Sequence, residues 1–203
     1  MGALRWFLVF PAAALFRRAS CYADAGVHAW MTQHQLPWLR GFMQAVSKCG
    51  DWPEHTVLGL VLLGIAYWRG SKHWQRIFAA MIIACALAGV AARVVKISTG
   101  RARPTVQSQV EWNGPRLNPR YNSFPSGHTA ASTAFFATLA FASWRIGAGF
   151  LVIPILIAFS RMYVAAHHLS DVVCAAMIGA MAAYVVVNWK PLGIESRNSK
   201  IEN

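Results

Sequence analysis

Hydrophobic residues in this chain fall in long runs, with polar and charged residues gathered into short clusters between them. Ile77 to Val95 is apolar except for Arg93, Ala148 to Phe159 is uncharged, and Val172 to Trp189 has no charge at all. A bilayer core about 30 Å thick takes roughly 20 apolar residues per helix, with about 17 at the lower end. The runs predict helices over residues 3–16, 56–68, 77–95, 129–144, 147–163 and 170–189. The first is short, and the second is short enough to be buried or only partly crossing. Arg17 and Arg18 follow the first run directly with no small-x-small cleavage site before them, so it reads as a retained helix rather than a signal peptide. Between Tyr22 and His55, residues such as Val27, Trp30, Met31, Trp38, Phe42 and Val46 include several at three- and four-residue intervals, which predicts an amphipathic helix in the membrane interface. An ordinary loop with a short helix is the alternative, and no catalytic cluster is expected there. The Ala, Ser and Thr content of 129–144 predicts close packing against neighbouring helices. The expected fold is an all-α polytopic membrane protein, a six-transmembrane-helix bundle with a short first helix. It forms one domain over residues 1–203 with a polar tail at 190–203.

Composition supports the membrane: the 203 residues are 56% hydrophobic and only 13% charged. The net charge of +12 raises the question of nucleic acid. The basic residues are spread over loops and flanks, however, and the aromatic residues sit largely in apolar stretches, so no stacking platform for bases is present. Anionic lipid or a phosphorylated substrate accounts better for the charge. Cys21, Cys49, Cys85 and Cys174 lack the close pairing of a zinc site. Cys85 and Cys174 read as small core residues, while Cys21 and Cys49 bracket one polar segment and could pair in an oxidising compartment. Basic residues favour the cytoplasmic side. The 69–76 hinge, Arg145 and the tail are separated by pairs of helices and can all lie there together. The 96–128 loop and the turn between the last two helices then share the opposite face.

Three polar clusters meet on that face. The first holds Lys96, Arg101, Arg103 and Pro104, the second is Pro125, Ser126, Gly127 and His128, and the third is Ser160 and Arg161 followed by His167, His168 and Asp171. Ionisable groups beside membrane helices are functional candidates. Lys96, Arg103 and Arg161 are cations, two of them with the planar guanidinium fork that holds two phosphoryl oxygens at once. Ser126 and Gly127 precede a helix start, whose free N–H groups and dipole favour an anion. Taken singly, each has a bland reading as an N-cap, a snorkelling arginine or a bystander histidine; together on one face they suit a phosphate. The histidines add chemistry, since a neutral imidazole can attack phosphorus while a protonated one supplies the leaving oxygen with a proton. Asp171 lies four residues after His167 and three after His168, so helical spacing lets it reach either. In an unbroken helix Arg161 would share a face with His168; a break near 164–169 would remove that preference.

Lys96 with six residues before Arg103-Pro104, then Pro125-Ser126-Gly127-His128, then Ser160-Arg161 with five residues before His167 and three more before Asp171, resembles the three-part signature of the type 2 phosphatidic acid phosphatase and haloperoxidase superfamily. The resemblance covers about residues 56–190 and fits the membrane phosphatase branch. It implies His167 as nucleophile forming a phosphohistidine, Asp171 orienting it, and His128 as the acid. It implies Lys96, Arg103, Ser126, Gly127 and Arg161 as the phosphate-binding set, with no metal and no cofactor. His168 is left without a role. The implied activity is hydrolysis of a phosphomonoester or diphosphate on a membrane lipid at the outer face of a bacterial inner membrane. The open lipid classes are undecaprenyl diphosphate, phosphatidylglycerophosphate, phosphatidate and lipid A 1-phosphate. A lipid phosphotransferase using the same site is the rival within enzymes, haloperoxidase chemistry is remote, and a membrane anion binder or transporter without turnover is the rival outside them.

Overall fold

The computed structural model describes residue 20 and residues 22–194 of the chain. The helix expected over 3–16, Cys21 and the end of the tail fall outside that range; Cys49 is an exposed free thiol. Eight α-helices follow in order: α1 over residues 22–33, α2 Pro37–Lys48, α3 Trp52–Trp68, α4 Lys72–Thr99, α5 Gly127–Ala142, α6 Trp144–Phe150, α7 Val152–Tyr163 and α8 Leu169–Val187. Apart from an isolated bridge between Arg101 and Trp112, the described residues contain no β-structure.

Local sequence sets the helix limits. Asp51 caps α3 by accepting from Trp52 N at 2.9 Å, with Pro53 in the first turn, where its missing N–H costs nothing. α4 stops at Gly100, which takes the left-handed conformation at φ 56°; a Cβ there would overlap the Gly114 carbonyl. α7 ends at Tyr163 and the backbone turns through Ala165 at φ 55° before His168 starts α8.

Lys72–Thr99, Trp144–Tyr163 and Leu169–Val187 are long and apolar enough to cross a membrane. α3 and α5, with 17 and 16 residues, reach only about 26 and 24 Å at 1.5 Å per residue. Among the described residues, three of the six expected spans thus meet both length and hydropathy for a full crossing. The α3 run carries Val57, Leu60, Val61 and Ile65 outward, and α8 likewise exposes Met177, Met181 and Val185. Such an apolar exterior belongs against lipid, and the protein is an integral membrane protein.

α5 forms the centre, packed by α3, α4, α6, α7 and α8. Nearly all of it is buried, so the small-residue content of this run does signal close packing. Ala80, Ala84, Ala88 and Ala92 make a four-residue stripe on α4 that meets Ala130 and Ala134 of α5 and Ala175 and Ala182 of α8. α8 comes close to α5 at Gly179, where a Cβ would stand 2.5 Å from Ala130 O and 2.9 Å from Ala134 N. Because those neighbours are backbone, Gly179→Ala is expected to destabilise the protein by about 1–3 kcal/mol. Gly64→Ala, in the interior of α3 where a Cβ meets nothing within 4 Å, should leave it no less stable, with a gain of up to about 1 kcal/mol. Thermal unfolding of the two variants in detergent checks the contrast.

The 69–76 hinge and the start of the tail lie at one end of the bundle. Arg76 Nη1 donates to Gly193 O at 3.1 Å, and Ile194, Trp74 and Phe78 pack against the same buried cluster around Ile77 and Met81. The Tyr22–His55 segment, expected as an interfacial amphipathic helix, is two helices. They bury Met31 and Met43 against Tyr163 at the end of α7 and leave Trp30, Trp38 and Phe42 exposed. The Tyr163 hydroxyl donates to His34 O at 3.1 Å and accepts from Leu36 N at 2.9 Å, fixing the α1–α2 corner to the bundle.

Candidate active site

All eight residues singled out in the sequence converge at the end of the bundle opposite the 69–76 hinge. Lys96 comes from the last turns of α4, Arg103 from the loop after it, Ser126, Gly127 and His128 from the start of α5, Arg161 from the end of α7, His167 from the α7–α8 turn, and Asp171 from the first turn of α8. The two helix starts are tied directly, since Ser126 N donates to Asp171 O at 3.1 Å.

Asp171 is fully buried and held from several sides. Its Oδ1 accepts from Arg101 Nη1, and its Oδ2 accepts from Ser123 Oγ at 2.5 Å and from His168 N at 2.9 Å. The same Oδ2 faces His167 Nδ1 at 3.6 Å. That is longer than a hydrogen bond; His167 Nδ1 is buried with no hydrogen-bond partner among the described residues. Burial drives the His167 pKa well below the ordinary histidine value, Lys96 and Arg161 push the same way, and the Asp171 carboxylate opposes them. His167 is therefore a neutral imidazole with Nδ1 toward a carboxylate. His168 points elsewhere, its Nε2 lying 3.3 Å from Ala102 O. The chain break at Ala165 is what separates the two rings.

Lys96, Arg103 and Arg161 lie within electrostatic reach of one another, and each also acts on His128. None forms a salt bridge among the described residues. Arg161 donates through Nη1 to Ser47 Oγ, while its buried Nε has no hydrogen-bond partner there. Arg103 spends only Nε, on Pro119 O at 3.0 Å. Like charges gathered with donors unspent form a seat for a polyanion, whose charge offsets their repulsion. A Cβ at Gly127 would meet only Lys96 Nζ, at 3.9 Å, so the helix start is open to a ligand beside that ammonium. Ser126 is more constrained: it is buried and its Oγ accepts from Thr129 N at 3.4 Å, the bond of an N-cap, and from Thr129 Oγ1 at 3.0 Å.

No motif in the chain signals the support behind these groups. Arg101 is buried and binds Asp171, Asp24 of α1 and Glu111 together; Asp24 in turn accepts from Ser170 N at 2.8 Å and Ser170 Oγ at 2.6 Å. Burial alone would lower the Arg101 pKa, but the three carboxylates outweigh it and hold the guanidinium charged. Asp24, Ser47 and Asp51 all come from the segment in which no catalytic cluster was expected, and all three touch site residues or their supports. One available signal was scarcity. The chain has only seven acidic residues, and Asp24, Asp51, Glu111 and Asp171 gather at this end.

Fold and site together define an integral membrane protein with a cation-lined, histidine-bearing pocket at one end of a helical bundle. The chain belongs to the PAP2 superfamily, whose family model matches residues 75–194. A curated relative, the lipid A 1-phosphatase of Rhizobium johnstonii, is 34% identical over 98 residues, which is 45% of this chain. The match spans 39% of that relative's own length. Two crystal structures share the fold. That of Aquifex aeolicus LpxE has a TM-score of 0.64 at 21% identity and covers 82% of this chain and 95% of its own. That of the first transmembrane PAP2 type phosphatidylglycerolphosphate phosphatase from Bacillus subtilis has a TM-score of 0.68 at 22% identity, covering 96% and 97%.

Proposed function

We propose that this protein is a membrane lipid phosphatase that hydrolyses a phosphate ester or diphosphate through a phosphohistidine at His167. The observation that carries the reading is the meeting of Lys96, Arg103 and Arg161 with two histidines, one of them fully buried and backed by Asp171. His167 Nε2 attacks phosphorus and the phosphorus–oxygen bond to the lipid breaks. The imidazolium of His128 gives its proton to the departing lipid oxygen, leaving a neutral ring. Water then attacks the phosphohistidine and passes a proton to His128; the phosphorus–nitrogen bond breaks, and inorganic phosphate leaves. Lys96, Arg103, Arg161 and the N–H groups at Gly127 hold the equatorial oxygens, whose charge grows in the transition state.

A lipid substrate is supported by the cleft beside the site. About 590 Å³ in volume, it runs from Lys96, Gly127 and His128 along Gly89, Val90 and Val94 of α4 to Trp52. A headgroup at the polar end leaves its chain against an apolar helix flank. Among the four open lipid classes, lipid A 1-phosphate comes first, because the curated relative is a lipid A 1-phosphatase. The site faces the exterior of a bacterial inner membrane, with the basic hinge at 69–76 toward the cytoplasm.

The test is release of inorganic phosphate by purified protein in micelles, offered each of the four lipids in the presence of a chelator. Release from at least one, lowered about 10²–10⁴-fold by His128→Ala, is the expected outcome. An anion binder or transporter would retain the lipid and release nothing. A phosphotransferase would transfer the label to an added lipid acceptor in competition with water.

A further inference from the structure

Asp51 has a backbone reason to be where it is, as the N-cap of α3, and a second contact that capping does not explain. Its Oδ1 lies 3.8 Å from Nδ1 of His128, and Asp51 lines the same cleft as Lys96, Gly127 and His128. We propose that Asp51 is a positioning residue for His128, holding Nδ1 toward α3 so that Nε2 faces the leaving oxygen, and supporting the imidazolium that donates the proton. The inference rests on His128 being the acid of the proposed hydrolysis.

The need for such a partner follows from the surroundings. Burial of the His128 ring is the largest influence against its charged form, and three cations push the same way, Arg161 from α7, Lys96 from α4 and Arg103 from the long loop. Asp51, from the turn before α3, is the carboxylate that opposes them. The two histidines are thus built alike, each with Nδ1 directed at a carboxylate, but the environments differ. Asp171 is fully buried, whereas the Asp51 side chain is 45% exposed, so water screens its effect.

Asp51→Asn separates the two roles, because asparagine caps a helix as well as aspartate does but carries no charge. Thermal unfolding should be unchanged. The values to compare are kcat/KM for an alkyl phosphate and for an aryl phosphate with a strongly acidic phenol, in the same micelles. The second leaving group departs without a proton, and kcat/KM stops at the first irreversible step, so hydrolysis of the phosphohistidine does not enter. We expect a loss of about tenfold for the alkyl ester and little for the aryl ester. The basic limb of the alkyl profile should move about one pH unit lower, since losing the carboxylate weakens the proton's hold on His128. In a His128→Ala background, Asp51→Asn should change nothing further. Equal losses for both esters with an unmoved basic limb would reduce Asp51 to a helix cap and leave lipid hydrolysis standing. If His128→Ala itself showed no dependence on the leaving group, His128 would not be the acid, and the assignment on which this inference rests would be withdrawn.

Discussion

Replacing His167 with alanine is expected to lower phosphate release by about 10⁴-fold or more, because the attacking atom itself is removed. Brief incubation of the wild-type protein with lipid labelled in its phosphate should leave acid-labile label on the protein, and His167→Ala should leave none. His168→Ala should retain it, because that ring is turned toward Ala102 O. Label on residue 168 would reverse the assignment. The pH dependence is fixed in sign by burial. The folded chain holds His167 neutral below the ordinary histidine pKa of about 6.5, and the unfolded chain does not. Above about pH 6.5 neither state binds the proton and the group has no influence on stability. Below it only the unfolded chain takes the proton up, so this residue weakens folding as the pH falls. Since the free enzyme keeps its nucleophile unprotonated through that range, any acid limb of kcat/KM that reports His167 should fall below about pH 6. An acid limb at the unperturbed value that His167→Asn removes from residual activity would contradict the burial.

What could be read from the chain beforehand follows from the range of the interactions concerned. Helix formation and membrane partition are local, so runs such as 77–95 and 170–189 announce themselves; α4 contains the first, and α8 the second up to Val187. The small residues of 129–144 likewise declare a crowded helix, and α5 is the central one. Length was harder: Ser126 did mark the start of α5, but the apolar run from residue 56 does not show that Asp51 caps α3 and starts it at Trp52. The choice between His167 and His168 lay beyond spacing, because straight-helix geometry puts His168 on the face of Arg161, whereas the turn at Ala165 leaves His167 Nδ1 3.6 Å from Asp171 Oδ2. Least accessible was Arg101. Its position between Gly100 and Ala102 shows a charge near the site, but its partners Asp24 and Asp171 are 77 and 70 residues away along the chain. No local pattern reports such a meeting.

Arg101→Met is expected to cost about 3–5 kcal/mol of stability, more than the Gly179→Ala substitution in the α5–α8 packing, because it breaks a buried ion cluster by removing its cation. Methionine approximates the volume of the arginine stem, so the loss reads out charge rather than a cavity. Asp24 and Asp171, 6% and 0% exposed at the side chain, would then lose the one cation that both contact directly. The cost can be divided by a second substitution. Asp24→Asn keeps an oxygen for Ser170 N, which Asp24 accepts at 2.8 Å, while taking one negative charge away. In the Arg101→Met background it should recover part of the stability, and in the wild-type background it should lose some; this opposite sign is the signature of direct coupling. Unfolding in detergent, followed by helical circular dichroism, measures all four proteins. Arg101→Lys tests the geometry separately. A lysine retains the charge but cannot span Asp171 and Asp24 with two arms, as Nη1 and Nη2 do in the native cluster. It should fold at a small loss, yet release phosphate more slowly than that loss explains, because Asp171 would no longer be held square to His167. If Arg101→Met unfolded within about 1 kcal/mol of the wild type, the cluster would be energetically neutral and the stability of this end of the bundle would have to come from the α5–α8 packing alone.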